Sequence, residues 1–233
     1  MSRFVVVANQ KGGVGKTTTV INLGTALALA EKRVLIVDMD PQGNATSGLG
    51  FDGSSKKSVY NPLMGLGTLE ENIVETATPF LFLSPSSDEM QGFEVEVYEN
   101  KERAFLLKRA LQKVRDRFDY VFIDTPPSLG FVTVNALVAA DLLLVPLQAE
   151  YYALEGLSQL MRTVQEVQRV YNPSLELQGI VITMADERTN LSRQVEEEAR
   201  KFFGAKVYET KIARNVKLSE APSFGQSIIH YDV

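Results

Sequence analysis

A glycine-rich stretch near the N-terminus carries the clearest chemistry in this chain. Its residues are Lys11, Gly12, Gly13, Val14, Gly15, Lys16, Thr17 and Thr18. An apolar run from Phe4 to Ala8 comes before it and a helical pattern follows it. The order strand, glycine loop, helix directs backbone N–H groups and a helix N-terminus at phosphate oxygens. We therefore expect a phosphate-binding loop, in which glycine is needed because a Cβ would block the close approach.

The loop departs from the ordinary pattern G-x-x-x-x-G-K-[ST]. Gln10 stands where that pattern has its first glycine, and Lys11 adds a second lysine to the usual Lys16. We expect Lys16 to bind the β- and γ-phosphates of a nucleotide and the Thr17 hydroxyl to bind Mg²⁺. On charge alone, Lys11 could equally face solvent.

Aspartates follow two of the apolar runs. Asp124 ends one run and has the placement of a carboxylate that holds the metal through water. Asp38 and Asp40 are two residues apart, so on an extended chain their side chains point the same way. The residues alone also allow capping roles, with Asp124 capping the next turn and Asp38 capping the helix after Pro41.

These groups need a scaffold that brings them to one edge. Val20, Leu23 and Leu27, and later the segment 154–167, repeat apolar residues at helical spacing. Between the helical patterns lie short, continuously apolar runs of the kind that form buried parallel strands. The runs are 33–37, 80–83, 120–123, 142–145 and 180–182. The alternation predicts an α/β fold, a doubly wound and mostly parallel sheet with helices on both faces, with ligands at the carboxyl ends of its strands.

Composition sets the outer limits. The chain has 233 residues, of which 45% are hydrophobic, and this predicts one domain over residues 1–233. The absence of cysteine excludes disulfides and thiolate metal sites. The single histidine, His230, is expected to be structural. No apolar run reaches the roughly 18 residues that span a bilayer, and no signal peptide is apparent, which predicts a soluble cytoplasmic protein.

Several segments beyond the glycine loop, in order along the chain, also match motifs of a known family. The chain resembles the ParA/Soj branch of the ParA/MinD family, the deviant Walker P-loop ATPases whose loop reads K-G-G-x-G-K-T-T. The likeness covers most of the chain. Besides the loop, the segments that carry it are 37–44, 122–128, 152–156 and 215–223.

The resemblance implies ATP and Mg²⁺ as cofactors and gives roles to residues that chemistry alone leaves open. Asp40 would position or activate the attacking water, and Asp38 would support the metal region. Lys11 would reach across a face-to-face homodimer to the partner's phosphates, so that ATP favours the dimer. Arg214 would lie beside the adenine, although Ala213 stands where the family usually has proline.

A basic segment near the C-terminus indicates a second ligand. Residues 200–217 hold six basic residues against Glu209 alone, in a chain whose net charge is −5. Such a segment can follow DNA phosphates without reading sequence, although an ordinary solvated surface has the same composition. The resemblance to the ParA/Soj branch implies that the ATP dimer binds DNA nonspecifically. The candidate DNA-binding residues are Arg188, Arg193, Lys211, Arg214 and Lys217.

The expected function is that of an ATPase that partitions a chromosome or a plasmid. Its ATP hydrolysis is expected to be weak until a ParB-like partner stimulates it. The alternatives are a MinD-like membrane-positioning ATPase, a nucleotide-dependent switch with negligible turnover, and a P-loop metabolite kinase or ligase. Absence of cysteine excludes the nitrogenase iron-protein branch. ParA-like chains usually continue beyond the position of Val233 into a further helix, so we expect that helix, and with it a membrane-targeting segment, to be missing.

Overall fold

The strands of this protein join in one sheet. The structure, a computed structural model, describes residues 2–52, 56–150, 152–186 and 188–232, so Val233 lies outside the described residues. The strands are β1 (Arg3–Val7), β2 (Val34–Asp38), β3 (Val74–Glu75), β4 (Leu81–Ser84), β5 (Tyr120–Asp124), β6 (Leu142–Gln148), β7 (Glu176–Ala185) and β8 (Val207–Ala213). Their order is β3-β4-β2-β5-β1-β6-β7-β8, and only the short β3 runs antiparallel to its neighbour. The predicted mostly parallel α/β fold is confirmed.

Helices fill the connections between these strands. They are α1 (Lys16–Leu29), α2 (Asn44–Gly48), α3 (Tyr60–Leu63), α4 (Phe93–Glu96), α5 (Leu106–Gln112), α6 (Phe131–Ala139), α7 (Ala153–Val170), α8 (Asn190–Phe203), α9 (Val216–Glu220) and α10 (Ile228–Tyr231). Within the described ranges, none of these helices has both the length and the hydropathy that crossing a bilayer requires.

Alternate residues of the central strands enter two cores on opposite faces of the sheet. In β1, Phe4 and Val6 pack into one core with residues of α5, α6, α7 and α8. Val5 and Val7 pack into the other core with residues of α1 and α2. Because both faces are covered, alternation of apolar and polar residues is lost, which is why these strands read as continuous apolar runs.

The buried side of α1 differs from the predicted stripe. Val20 is fully buried, as expected, but Leu23 is 38% exposed. Gly24 and Ala28 are buried instead, since small residues let α1 lie close to the sheet. The prediction for Leu23 was wrong because helical spacing fixes a stripe but not which side of that stripe meets the sheet.

Candidate functional site

The carboxyl ends of three neighbouring strands meet at one edge of the sheet. Asp124, the last residue of β5, is the register partner of Asp38 on β2 and of Val7 on β1. The glycine loop leaves β1 directly after Val7 and ends at Lys16, where α1 begins. The fold therefore places the loop and both aspartates at a common rim, which is the arrangement that the sequence predicts.

Left-handed backbone conformations shape the loop. Gly13 and Gly15 have φ angles of 73° and 87°, values that favour glycine over residues with a Cβ. Between them, Val14 is buried and its carbonyl accepts a hydrogen bond of 2.8 Å from the Thr183 hydroxyl at the carboxyl end of β7. Thr183 thus anchors the loop to a second strand, a contact that no local sequence pattern indicates.

Asn9 and Glu150 hold the start of the loop. The Asn9 side chain donates to the Pro146 carbonyl at 2.7 Å and accepts from the Lys11 backbone N–H at 3.0 Å. The Lys11 ammonium forms an ion pair with Glu150 of the same chain. In the single chain, Lys11 is thus paired with a carboxylate of its own chain rather than free in solvent.

Lys16 lies over the loop. Its ammonium donates to the Lys11 carbonyl at 3.3 Å, and the residue is only 7% exposed. Burial lowers the pKa of Lys16, while the charges of Asp124 and Asp40 oppose that shift. A buried ammonium beside a hollow of backbone N–H groups is a strong site for a polyanion.

One carboxylate oxygen of Asp124 has no hydrogen-bond partner in the part of the chain that the structure describes. Its Oδ2 accepts from the Thr17 hydroxyl at 2.7 Å, whereas Oδ1 is buried and has no hydrogen-bond partner among the described residues. Burial, and then the charge of Asp38, raise the pKa of Asp124 well above its usual value. A hard cation would relieve both costs, so Thr17 and Asp124 fit Mg²⁺.

Asp38 and Asp40 take different positions. Asp38 is fully buried and accepts hydrogen bonds from Thr46 of α2 and from the Asp40 backbone, so it caps α2, one of the alternatives that the sequence left open. Burial raises the pKa of Asp38 to about 6, and the bonds from Thr46 oppose the rise. Asp40, in contrast, lines the open cavity beside the loop, and its Oδ1 accepts the Gln42 N–H at 3.0 Å.

A cavity of about 990 Å³ extends from the loop to the C-terminal segment. One end is lined by Gly12, Lys16 and Thr17, and the other by Arg214 and Leu218. Its volume lies at the upper end of the roughly 300–1,000 Å³ that is usual for ligand sites. The structure therefore brings Arg214, predicted to lie beside the base, into the same cavity as the phosphate loop.

The candidate DNA-binding residues do not form one free stripe. Arg188 makes two hydrogen bonds to Asp186, at 2.8 and 2.7 Å, and they are the main reason why the pKa of that carboxyl is held below its usual value, with a contribution from the charge of Arg214. The Arg193 guanidinium donates to the Asn190 side chain at 2.7 Å and stays exposed.

Two basic residues of the C-terminal segment lie beside one carboxylate. Arg200 and Lys211 both bind Glu196 of α8, at 3.0 and 3.2 Å. Lys217 forms an ion pair with Asp232. The sequence-based count of charge over 200–217 is thus too high as a measure of what this surface presents, because carboxylates outside that segment neutralise part of it.

The acidic stretch over 88–99 has structural contacts. Glu94 accepts the Val132 backbone N–H at 3.1 Å in the first turn of α6, and Glu96 accepts from the Tyr60 hydroxyl at 2.5 Å. These bonds give two acidic residues of this stretch structural roles.

The first strand of this parallel sheet leads through a glycine loop with a buried lysine into a helix, and a carboxylate lies opposite on a neighbouring strand. This arrangement defines a P-loop nucleotide-binding protein. Comparison with known proteins narrows this class. A family model described as an AAA domain matches residues 2–177. The chain belongs to the ParA/Soj family of chromosome partitioning ATPases, a branch of the ParA/MinD proteins.

Relatives of known name support this assignment over almost the whole chain. Sporulation initiation inhibitor protein Soj of Bacillus subtilis is 51% identical, with 100% of this chain and 92% of the relative covered. Chromosome partitioning protein ParA of Caulobacter vibrioides is 49% identical, with 99% and 88% covered. The crystal structure of cobyrinic acid a,c-diamide synthase from Mycobacterium smegmatis, with bound ADP and magnesium, has a TM-score of 0.88 and 40% identity over 97% of this chain and 93% of that one.

Asp124→Asn is expected to stabilise the protein without nucleotide and to remove its response to Mg²⁺. Because the folded-state pKa is raised, Asp124 lowers stability as the pH rises above about 4, and a neutral isostere removes that cost at pH 7. A gain of about 1 kcal/mol raises Tm by roughly 2–4 °C in a domain of this size. Thermal unfolding without nucleotide checks the first effect, and thermal unfolding with ATP, with and without Mg²⁺, checks the second. A lower Tm without nucleotide, or an intact Mg²⁺ response, contradicts the prediction.

Proposed function

We propose that this chain binds MgATP in the cavity, dimerises with ATP, binds DNA without sequence preference, and hydrolyses ATP when a ParB-like protein stimulates it. Membership of the ParA/Soj family supports the partition role for a chromosome or plasmid. The observation that carries the proposal is the loop with two lysines, Lys11 and Lys16, beside Asp40 and Asp124. The proposed location is the cytoplasm, with the DNA-bound form on the nucleoid.

The residues of the loop divide the work of phosphoryl transfer. Backbone N–H groups from Gly12 to Thr18 bind the phosphate oxygens, and Lys16 neutralises the β- and γ-phosphates. Thr17 and Asp124 would hold Mg²⁺, which when bound supplies further neutralisation of developing charge. Asp40 orients the attacking water from the wall of the cavity and accepts its proton. Such positioning and charge stabilisation account for most of phosphoryl-transfer catalysis.

Lys11 links nucleotide to assembly in this proposal. A lysine supplied by a second copy neutralises phosphate charge as an arginine finger does. ATP binding therefore favours dimerisation, and dimerisation favours ATP binding. The ion pair with Glu150 must then open before Lys11 can cross to the partner. Both side chains are partly exposed, at 36% and 46%, so the opening costs little.

Variants of these two residues should move the dimer equilibrium in opposite directions. Lys11→Ala is expected to remove ATP-dependent dimerisation, whereas Glu150→Gln frees Lys11 and lowers the ATP concentration for half-maximal dimer by up to about fivefold, the size of an exposed ion pair. Light scattering during size-exclusion chromatography over an ATP series measures the dimer. An ATP-dependent Lys11→Ala dimer with normal hydrolysis would show that Lys11 does not act in trans.

DNA binding should depend on ATP and on salt. Wild type with ATP is expected to bind random-sequence DNA with an affinity that falls steeply between roughly 50 and 200 mM salt, whereas wild type with ADP and Lys16→Ala with ATP bind weakly. Arg193→Ala should reduce the slope of log affinity against log salt by about 1 if Arg193 contacts a phosphate. Arg169→Ala, which removes an exposed arginine from the last turn of α7, is the matched control. Binding that is independent of ATP, or no binding, removes the DNA-based partition role but leaves the ATPase intact.

The name of the Mycobacterium relative points to a different reaction, the formation of amides. Partition proteins at 51% and 49% identity match more closely than this structure at 40%. With ATP, ammonia and cobyrinic acid, we therefore expect no amide product from this chain. Amide formation that requires Lys16 would assign it to the ligase class instead.

A further inference from the structure

Thr46 is a buried residue of α2. It is hydrogen-bonded to Asp38 through both its backbone and its side chain. Its N–H and its hydroxyl donate to the same oxygen, Oδ2 of Asp38, at 2.8 and 2.7 Å. Thr46 is 2% exposed and Asp38 is fully buried. Hydrogen bonds to a buried charged group are among the stronger ones in proteins, so these two bonds fix the Asp38 carboxylate.

Asp38 in turn fixes Asp40. The second Asp38 oxygen, Oδ1, accepts the Asp40 backbone N–H at 3.1 Å. The Asp40 side chain is then held by the Gln42 N–H, which donates to its Oδ1 at 3.0 Å. Hydrogen bonds thus run from Thr46 through Asp38 to the Asp40 backbone, and a separate bond from the Gln42 N–H holds the Asp40 carboxylate that lines the cavity.

The other side of Thr46 is anchored to the sheet. The Ser86 backbone N–H, in the loop directly after β4, donates to the Thr46 hydroxyl at 2.9 Å. Ser86 is 2% exposed, so this N–H has no access to solvent as a substitute partner. The Thr46 hydroxyl therefore accepts one bond and donates another, and so connects the segment after β4 with Asp38.

We propose that Thr46 is a positioning residue for ATP hydrolysis, which holds Asp40 at the attacking water through Asp38. The inference rests on the proposed role of Asp40. Of the residues described, those that line the cavity include Asp40, Asn44 and Ser47 but not Thr46, so Thr46 acts on the reaction without touching the nucleotide. A displacement of about 1 Å at a reacting group can cost about 100-fold in rate.

The test compares Thr46→Val, which keeps the shape but loses the hydroxyl, with Thr46→Ser, which keeps the hydroxyl. Thr46→Val is expected to lower kcat by about 10- to 100-fold with KM changed less than about threefold, since only the hydrolytic step is affected. Thr46→Ser should restore most of kcat. The matched control is Thr25→Val, the same change at a buried threonine whose hydroxyl has no partner among the described residues.

A double variant separates positioning from general damage. If Thr46 acts through Asp40, then Thr46→Val adds almost nothing to the rate loss of Asp40→Ala, because effects of residues that act as a unit are not additive. A wild-type kcat in Thr46→Val, no rescue by Thr46→Ser, or fully additive losses would overturn the inference. Retained binding of a fluorescent ATP analogue shows that the variants are folded. Failure of wild type itself to hydrolyse ATP would instead count against the proposed function.

Discussion

Lys16→Ala is expected to lower the affinity for ATP roughly 100-fold and to remove measurable hydrolysis. Lys16 is the buried ammonium of the loop, and a hydrogen bond to a charged group contributes about 1.5–3 kcal/mol. Two phosphates would share this ammonium, and charge also develops on them in the transition state, so the rate should fall by a further factor of about 100–1,000. Isothermal titration with ATP and phosphate release at saturating ATP measure the two effects separately.

Lys32→Ala is the matched control for this variant. Lys32 lies just beyond the C-terminal end of α1, is exposed, and loses the same charge on substitution. It should bind and hydrolyse ATP as the wild type does. Equal losses in both variants would mean that net charge, and not the position of Lys16, decides the affinity.

Asp40→Ala is expected to separate binding from chemistry. Asp40 lines the cavity but is not among the groups that we assign to phosphates, so ATP should still bind and the dimer should still form. Loss of a general base lowers the rate by about 100- to 10,000-fold, so the ATP-bound dimer should persist long after the wild type has returned to monomer. Single-turnover hydrolysis and light scattering followed over time give both quantities.

Asp116→Ala is the corresponding control, since Asp116 is an exposed aspartate on the surface between α5 and β5. It should turn over normally. If Asp40→Ala fails to bind ATP, the carboxylate stabilises the bound nucleotide or the fold rather than the attacking water. Normal turnover in Asp40→Ala would assign the water to another group.

The sequence predicted the parts of the site that depend on local spacing. The strand, glycine loop and helix around Lys16 are consecutive, and the apolar runs before Asp38 and Asp124 are long enough to identify buried strands. Register then follows from the parallel sheet, which places the ends of β1, β2 and β5 together. These parts need no knowledge of distant contacts.

Contacts between distant residues could not be predicted in this way. Lys11 and Glu150 are 139 positions apart, and no local pattern joins them. The edge strand β8 was read from the sequence only as a basic segment, because few of its residues are buried and the alternation typical of strands is weak. Asp38 shows a third limit, since the local sequence fits a cap of α2 and a residue near the metal equally well, and the cap is seen only in the bonds from Thr46.

The cavity joins parts of the chain that are far apart in sequence. Its walls come from the loop and α1 at one end and from residues after β8 at the other, where the Ile228 N–H also donates to Asn22 at 2.7 Å. A nucleotide that touches both walls connects two segments that are about two hundred residues apart in sequence. It stabilises the conformation in which they are close, because a ligand stabilises the conformation that it binds. Nucleotide bound in the proposed site would therefore stabilise the packing of the C-terminal segment against the loop and α1, and its release would remove that added stability.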